Sequence, residues 1–116
     1  MAEITRYGVA ARYADKVVHN GTVYMVEVAS STEADIAVQT AEVLASIERQ
    51  LAEVGSDKSR LLMVTVYLKD LAEAPVFNAL WEAWLPAGCA PARACVRADL
   101  VHPGYRVELA LTAAVR

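Results

Sequence analysis

Nothing in this chain forms a basic block: eleven Lys and Arg are scattered among fourteen Asp and Glu, for a formal charge of −3. A nucleic-acid binder would carry a basic patch or stripe, so a nucleic-acid partner is not expected. No apolar run is long enough to cross a bilayer, so no membrane partner is expected either. The opening Met1-Ala2-Glu3-Ile4-Thr5-Arg6 lacks the apolar segment of a signal peptide. Cysteine is scarce. Cys89 and Cys95 sit six apart with no export signal, which argues against a structural disulfide and for a reduced, cytoplasmic protein. Histidine is scarcer still, and a metal site needs several clustered ligands, so His19 and His102 read as surface residues of a hairpin and a turn. There is no repeat, linker or low-complexity tract.

What is abundant is apolar surface. Hydrophobic residues make up 56% of the 116-residue chain, while charged residues are an ordinary 22%. The length suits one domain, 1–116, large enough to bury a core. A domain this small has too little interior to hide that much apolar surface. A second copy of the same chain is the simplest cover, because most soluble oligomers are homo-oligomers.

The elements follow from periodicity. Residues 4–7 suggest a short first strand. Lys16-Val17-Val18-His19, the turn Asn20-Gly21 and Thr22 to Val28 form a hairpin, since Asn-Gly between β-branched and aromatic residues is the strongest short-range hairpin signal. Ser31 or Thr32 is the expected N-cap of a long helix, with Glu33 and Asp35 in its first turn. Ile36, Thr40, Val43, Ile47, Leu51 and Val54 recur at steps of three and four and make one apolar stripe, and Gly55 ends the helix. Glu42, Glu48, Arg49 and Glu53 lie off the stripe, on a solvated face.

Residues 61–69 read as a strand apolar on both faces, with Leu62, Val64, Val66 and Leu68 on one side and Leu61, Met63 and Tyr67 on the other. Such a strand belongs in the middle of a sheet covered twice. Residues 70–84 suggest a second helix through Val76, Phe77, Leu80, Trp81 and Trp84, with Pro75 tolerable in its first turn. Two further strands, 92–99 and 105–115, flank the turn His102-Pro103-Gly104. The order is strand, hairpin, helix, strand, helix, strand, strand. That is an α+β protein with one mixed sheet and two helices on one face. The second cover for the sheet must then come from another subunit.

Two charged residues stand out near the end of the chain. Arg93 is a fixed positive charge within the small, apolar run Pro91-Ala92-Arg93-Ala94-Cys95-Val96, and Glu108 is the only carboxylate in residues 105–115. Assigning the even positions of the first strand (Ala92, Ala94, Val96) to the face under the helices places Arg93 and Cys95 on the opposite face. Glu108 falls there too, across from the apolar odd positions of its own strand. A turn at Pro103 would bring Cys95 or Arg97, rather than Arg93, nearest to Glu108. An arginine at a partly buried interface can grip a carboxylate through two parallel hydrogen bonds. A nearby carboxylate can orient water and move protons. The same two residues could equally be an ordinary interface ion pair.

The run Pro91-Ala92-Arg93-Ala94-Cys95-Val96, with Glu108 fifteen residues after Arg93, resembles the C-terminal signature of the RidA/YjgF family of enamine/imine deaminases. Older names for members are translation-initiation inhibitor and L-PSP endoribonuclease. Leu68-Lys69-Asp70-Leu71, the stretch Phe77-Asn78-Ala79-Leu80-Trp81-Glu82-Ala83-Trp84, and Tyr13 ahead of the hairpin also resemble the family pattern, so the likeness runs over nearly the whole chain. It implies a chorismate-mutase-like fold, a homotrimer with sites in the clefts between subunits, and no metal or organic cofactor. The implied reaction is hydrolysis of 2-imino acids, derived from enamines such as 2-aminoacrylate, to 2-keto acids and ammonia. Arg93 would bind the substrate carboxylate, and Glu108 would position the water and protonate departing ammonia. Cys95 would line the pocket through its backbone, with Tyr13 and Asn78 as further substrate-binding candidates.

The chain departs from typical members at Val26-Glu27-Val28, where a Ser-Gly-Gln run is usual, and at Arg12-Tyr13-Ala14-Asp15, which lacks the usual Gly-Pro before the tyrosine. Glu27 is thereby a candidate substrate-contacting residue, and the chain reads as a divergent subgroup. Two alternatives accompany the deaminase reading: a trimeric binder of small carboxylate metabolites without turnover, and an RNA-directed ribonuclease or translation inhibitor, which the acidic balance disfavours.

Overall fold

The computed structural model describes residues 3–116. Six strands form one sheet: β1 (Ile4–Tyr7), β2 (Lys16–His19), β3 (Thr22–Val28), β4 (Leu61–Leu68), β5 (Ala92–Arg97) and β6 (Val107–Ala114). Their spatial order is β1-β2-β3-β6-β4-β5, antiparallel except for the β4–β5 pair. Two helices, α1 (Ile36–Ala52) and α2 (Ala74–Trp84), complete the α+β architecture. Among the described residues, no helix is long and apolar enough to cross a membrane.

The expected hairpin forms as read. Asn20 and Gly21 both take positive φ, 54° and 81°, which is the twist a two-residue hairpin turn needs. Upstream, Gly8 is equally constrained, because a Cβ there would fall 2.0 Å from Asp15 Oδ2. That close approach, with Asp15 N–H donating to the Tyr7 carbonyl at 2.8 Å, closes the loop between β1 and β2.

The core lies on one face of the sheet. Val23 and Met25 of β3, Val64, Val66 and Leu68 of β4, and Val107, Leu109, Leu111 and Ala113 of β6 pack against Val43, Ile47 and Leu51 of α1 and against Phe77 and Trp81 of α2. Each fully buried Val, Leu or Phe contributes about 1.5–3 kcal/mol. At the edge of this layer, Lys16 of β2 is buried to 2% exposure. Its ammonium donates to Gln50 of α1 and to Glu53, the residue that caps the helix C-terminus, and lies 4.8 Å from the Tyr7 ring centroid.

Several expectations change. Helix α1 starts at Ile36, capped by Asp35, whose carboxylate accepts the Val38 N–H at 2.9 Å. Ser31 instead bonds Glu42 through both its backbone and its hydroxyl, so it closes the preceding turn. Asp70 caps a short 3-10 turn, Leu71–Glu73, and α2 proper begins only at Ala74. In β4 a bulge between Leu61 and Met63 breaks the alternation. Leu61 therefore faces the core and Leu62 does not, the reverse of a regular strand.

The largest correction concerns the last two strands. They are not neighbours: β4 runs between them, parallel to β5 and antiparallel to β6. Register then fixes the faces. Arg93 pairs with Val64 and Cys95 with Val66, both core residues, so Arg93 and Cys95 lie on the helix-covered face. Ala92, Ala94 and Val96 take the open face. Small apolar residues suggest an interior position because interiors are apolar, but this sheet is apolar on both sides.

Candidate active site

At the sheet edge, β5 presents Arg93 to the first turns of α2. Its Nη1 donates to Asn78 Oδ1 at 2.9 Å, and the guanidinium carbon lies 5.9 Å from the ring centroids of both Phe77 and Trp81. Arg93 remains exposed, and the Asn78 bond is its only hydrogen bond among the described residues. The other donors of its planar fork are open to a carboxylate. Cys95, two residues on, is a half-buried free thiol packed against the core.

Glu108 is held quite differently. It sits on β6 between Val28 of β3 and Tyr67 of β4, half-buried on the open face. That face is apolar but uncovered: Tyr24, Val26 and Met63 are each about half exposed. Together with Val17, Ala110 and Thr112 they line a shallow concavity of about 530 Å³. Most such surface on a monomer is scattered, and a contiguous apolar floor of this kind marks an interaction or binding surface.

One chain does not bring Arg93 and Glu108 together. Arg93 is level with Val64, while Glu108 is level with Tyr67, three residues along and two strands across. At ordinary strand spacings their Cα atoms are about 14 Å apart, with side chains on opposite faces. The expectation that they share a face is therefore overturned. The reason is the intervening β4, together with a parity at β5 opposite to the one its small residues suggested.

The remaining candidates divide likewise. Asn78 joins Arg93 directly. Tyr13 lies in the loop between β1 and β2, two-thirds exposed and with its carbonyl accepting from Ala10 N–H, while the next residue, Ala14, lines the open-face concavity. Glu27 points away from that concavity. It lies under α1, where Ser46 Oγ donates to its carboxylate at 2.9 Å. Burial raises its pKa above the ordinary carboxylate value and nearby Asp15 adds to the rise, against the lowering effects of the Ser46 bond and Arg49. Its partner across the sheet is the core residue Leu109, so within one chain Glu27 lies on the helix-covered face and Glu108 on the other.

One structural residue escaped the sequence reading. Gln39 is fully buried in α1. Its Nε2 donates to the carbonyls of Ser31, Ala34 and Gly104, and its Oε1 accepts the Arg106 N–H at 2.9 Å. Arg106 in turn forms a bidentate ion pair with Glu73. These bonds fix the entry to β6 two residues before Glu108. The only sequence signal was an amide inside the apolar stripe. Among the described residues, no three His, Cys, Asp or Glu side chains cluster closely enough to hold a metal ion.

Residues 3–115 match the family model described as endoribonuclease L-PSP. The chain belongs to that family. The same membership, under the names RutC and YjgF, appears among its relatives. It is 42% identical over 112 residues to the RutC family protein YoaB of Escherichia coli strain K12, covering 97% of this chain and 98% of that one. Its fold superimposes on NMB1025, a YjgF family member from Neisseria meningitidis, with a TM-score of 0.93 and 43% identity, over 98% of this chain and 96% of that one. The RutC protein of Acinetobacter baylyi, named 3-aminoacrylate deaminase, is 33% identical over 81 residues, 70% of this chain and 64% of that one. Within the YjgF family fold, Arg93 thus occupies the β5 edge and Glu108 the open face.

Proposed function

We propose that this protein hydrolyses 2-imino acids to 2-keto acids and ammonia, at sites built between the copies of a homotrimer. Arg93 of one copy would meet Glu108 of the next. The observation that carries this reading is the separation of the two residues onto opposite faces of one sheet: only a second copy can place both around one small substrate. The uncovered apolar face around Glu108 supports such packing, since it leaves Tyr24, Val26 and Met63 half exposed in the single chain. The activity named for the Acinetobacter baylyi relative is of the same chemical class.

In this mechanism the Arg93 fork takes the substrate carboxylate through two charge-assisted hydrogen bonds and sets the imine carbon in place. An enamine substrate first tautomerises to the imine. With the imine nitrogen protonated, water adds to its carbon while Glu108 accepts a proton from the water, giving a tetrahedral carbinolamine. Glu108 then returns the proton to the amino nitrogen, the C–N bond breaks as the hydroxyl proton passes back to Glu108, and the keto acid and ammonia leave; the protonated Glu108 supplies the proton for the next imine. The thiol of Cys95 forms no covalent bond in this scheme, because an iminium carbon accepts water directly. Tyr13 and the backbone near Cys95 shape the pocket. Glu27, tucked under α1, does not oppose the substrate carboxylate, which favours turnover over simple capture. The formal charge of −3 gives no support to an RNA substrate.

The test is complementation. Arg93→Ala and Glu108→Ala chains should each lose release of ammonia from enzymatically generated 2-iminobutanoate. Refolded together in equal amounts, they should recover activity at about one quarter of the sites, because a random trimer pairs an intact Arg93 with an intact Glu108 at that frequency. No recovery, with both homomeric variants folded and assembled, would sink the composite site. No turnover by the native chain would sink the deaminase reading itself.

A further inference from the structure

Phe77 and Trp81 are four residues apart on α2, so their rings lie on one side of the helix. Their centroids are 5.9 Å apart at an interplanar angle of 22°, close to an offset stack. Trp81 then meets Trp84, 5.5 Å away and tilted by 37°. The far end of the row is pinned in turn: Trp84 Nε1 donates to Glu48 of α1 at 2.9 Å, and the Lys58 ammonium lies 5.4 Å from the Trp84 ring centroid. The near end carries Arg93, equidistant from the Phe77 and Trp81 rings and bonded sideways to Asn78.

A guanidinium within about 6 Å of an aromatic centroid is attracted to the ring's negative face. Here two rings share one cation, and an amide acceptor fixes its direction. Trp81 is only 5% exposed and Phe77 is fully buried, so the shelf is packed into the core, whereas Arg93 above it is exposed. An arginine free in solvent would have to give up much of its rotamer freedom on gripping a ligand. Held on this shelf, it has already done so.

We propose that Trp81 is a positioning residue. With Phe77 beneath and Asn78 alongside, it holds the Arg93 fork ready for a carboxylate and so sets how tightly acidic substrates bind. This inference rests on the reading of Arg93 as the carboxylate ligand. It adds that the strength of that contact is decided one layer below, by a residue that does not touch substrate. Asn78, by the same geometry, orients Arg93 through its oxygen. Replacing that oxygen's amide with a carboxylate would pair the arginine internally and take it from the ligand.

The test measures 2-oxobutanoate, the keto acid formed from 2-iminobutanoate, by calorimetry on the assembled protein. Trp81→Leu should weaken binding about three- to five-fold, while Trp81→Phe, which keeps a π face, should stay within about twofold of native. Asn78→Asp should weaken it about tenfold. Phe and Leu variants equally weak would mean that Trp81 acts by packing alone, and would overturn the inference. So would native affinity in Trp81→Leu while Arg93→Ala abolishes binding. Absence of binding by the native chain would overturn the Arg93 reading and this inference with it. Should Trp81→Leu fail to fold, Trp84→Phe leaves Trp81 as the sole indole, since the chain has two tryptophans. Its emission should then change on Arg93→Gln replacement, and unchanged emission would overturn the shelf.

Discussion

The two faces of this sheet are both apolar, yet only one is finished. The inner face buries Val23, Val64, Val66, Leu109 and Leu111 under two helices, and most polar groups along it are paired: Gln39 with four backbone groups, Lys16 with Gln50 and Glu53, Glu27 with Ser46, leaving the Thr40 hydroxyl without a partner among the described residues. On the outer face Tyr24, Val26 and Met63 stand half exposed around Glu108. A chain that leaves so much apolar surface uncovered on one side, next to a carboxylate, is built to receive something there. The difference teaches that in this chain apolar residues occupy both faces while burial is confined to one, with Arg93 at its rim.

The sharpest way to break that comparison is at the rim. Arg93→Ala should lower kcat/KM for a 2-imino acid by about 100-fold or more while leaving the melting temperature nearly unchanged, because the side chain is exposed. A large loss of stability instead would make Arg93 part of the finished face. Charging the open face comes next. Val26→Asp should shift the mass found by sedimentation from trimer toward monomer, without loss of the circular-dichroism signal. A trimer that survives it would mean that this face meets nothing.

On the finished face, Gln39→Leu should cost about 2–4 kcal/mol in denaturant unfolding, since it strands the Arg106 N–H and the carbonyls that now share the amide. The smallest effect belongs to Glu27. Burial raises its folded pKa, so the native state holds a proton more firmly than the unfolded chain. Its ionisation therefore lowers stability as pH rises from the unfolded value near 4.5 through the raised folded value. Glu27→Gln should track the native chain below that window and become slightly the more stable above it, as read by thermal melts at several pH values.

Much of the architecture was legible in the sequence because local signals and tertiary needs agreed. Asn20-Gly21 specified its hairpin, the stripe from Ile36 to Leu51 specified the buried side of α1, and the doubly apolar residues 61–69 announced an interior strand. The failures over which face a residue takes share a cause: each depended on a partner far away in the chain. Period-two alternation separates the faces of β5 but does not say which is inner, and only the Val64–Arg93 register decides that. The bulge at Leu61 and Met63 is likewise invisible without β6 opposite it. Of the candidate site, Arg93 with Asn78 came together as a unit, whereas Glu108 and Tyr13 lie elsewhere and Glu27 faces α1. Sequence offered the candidate residues but not their company.

Lys16 offers a use for the finished face. The chain has three lysines, and this one is almost wholly enclosed between the hairpin, Tyr7 and the end of α1, while Lys58 and Lys69 keep contact with solvent. An amine-reactive reagent should therefore label those two promptly and Lys16 only when the hairpin lifts from the helix. The labelling half-time at position 16 is then a clock for that opening, readable by mass spectrometry in the unmodified protein.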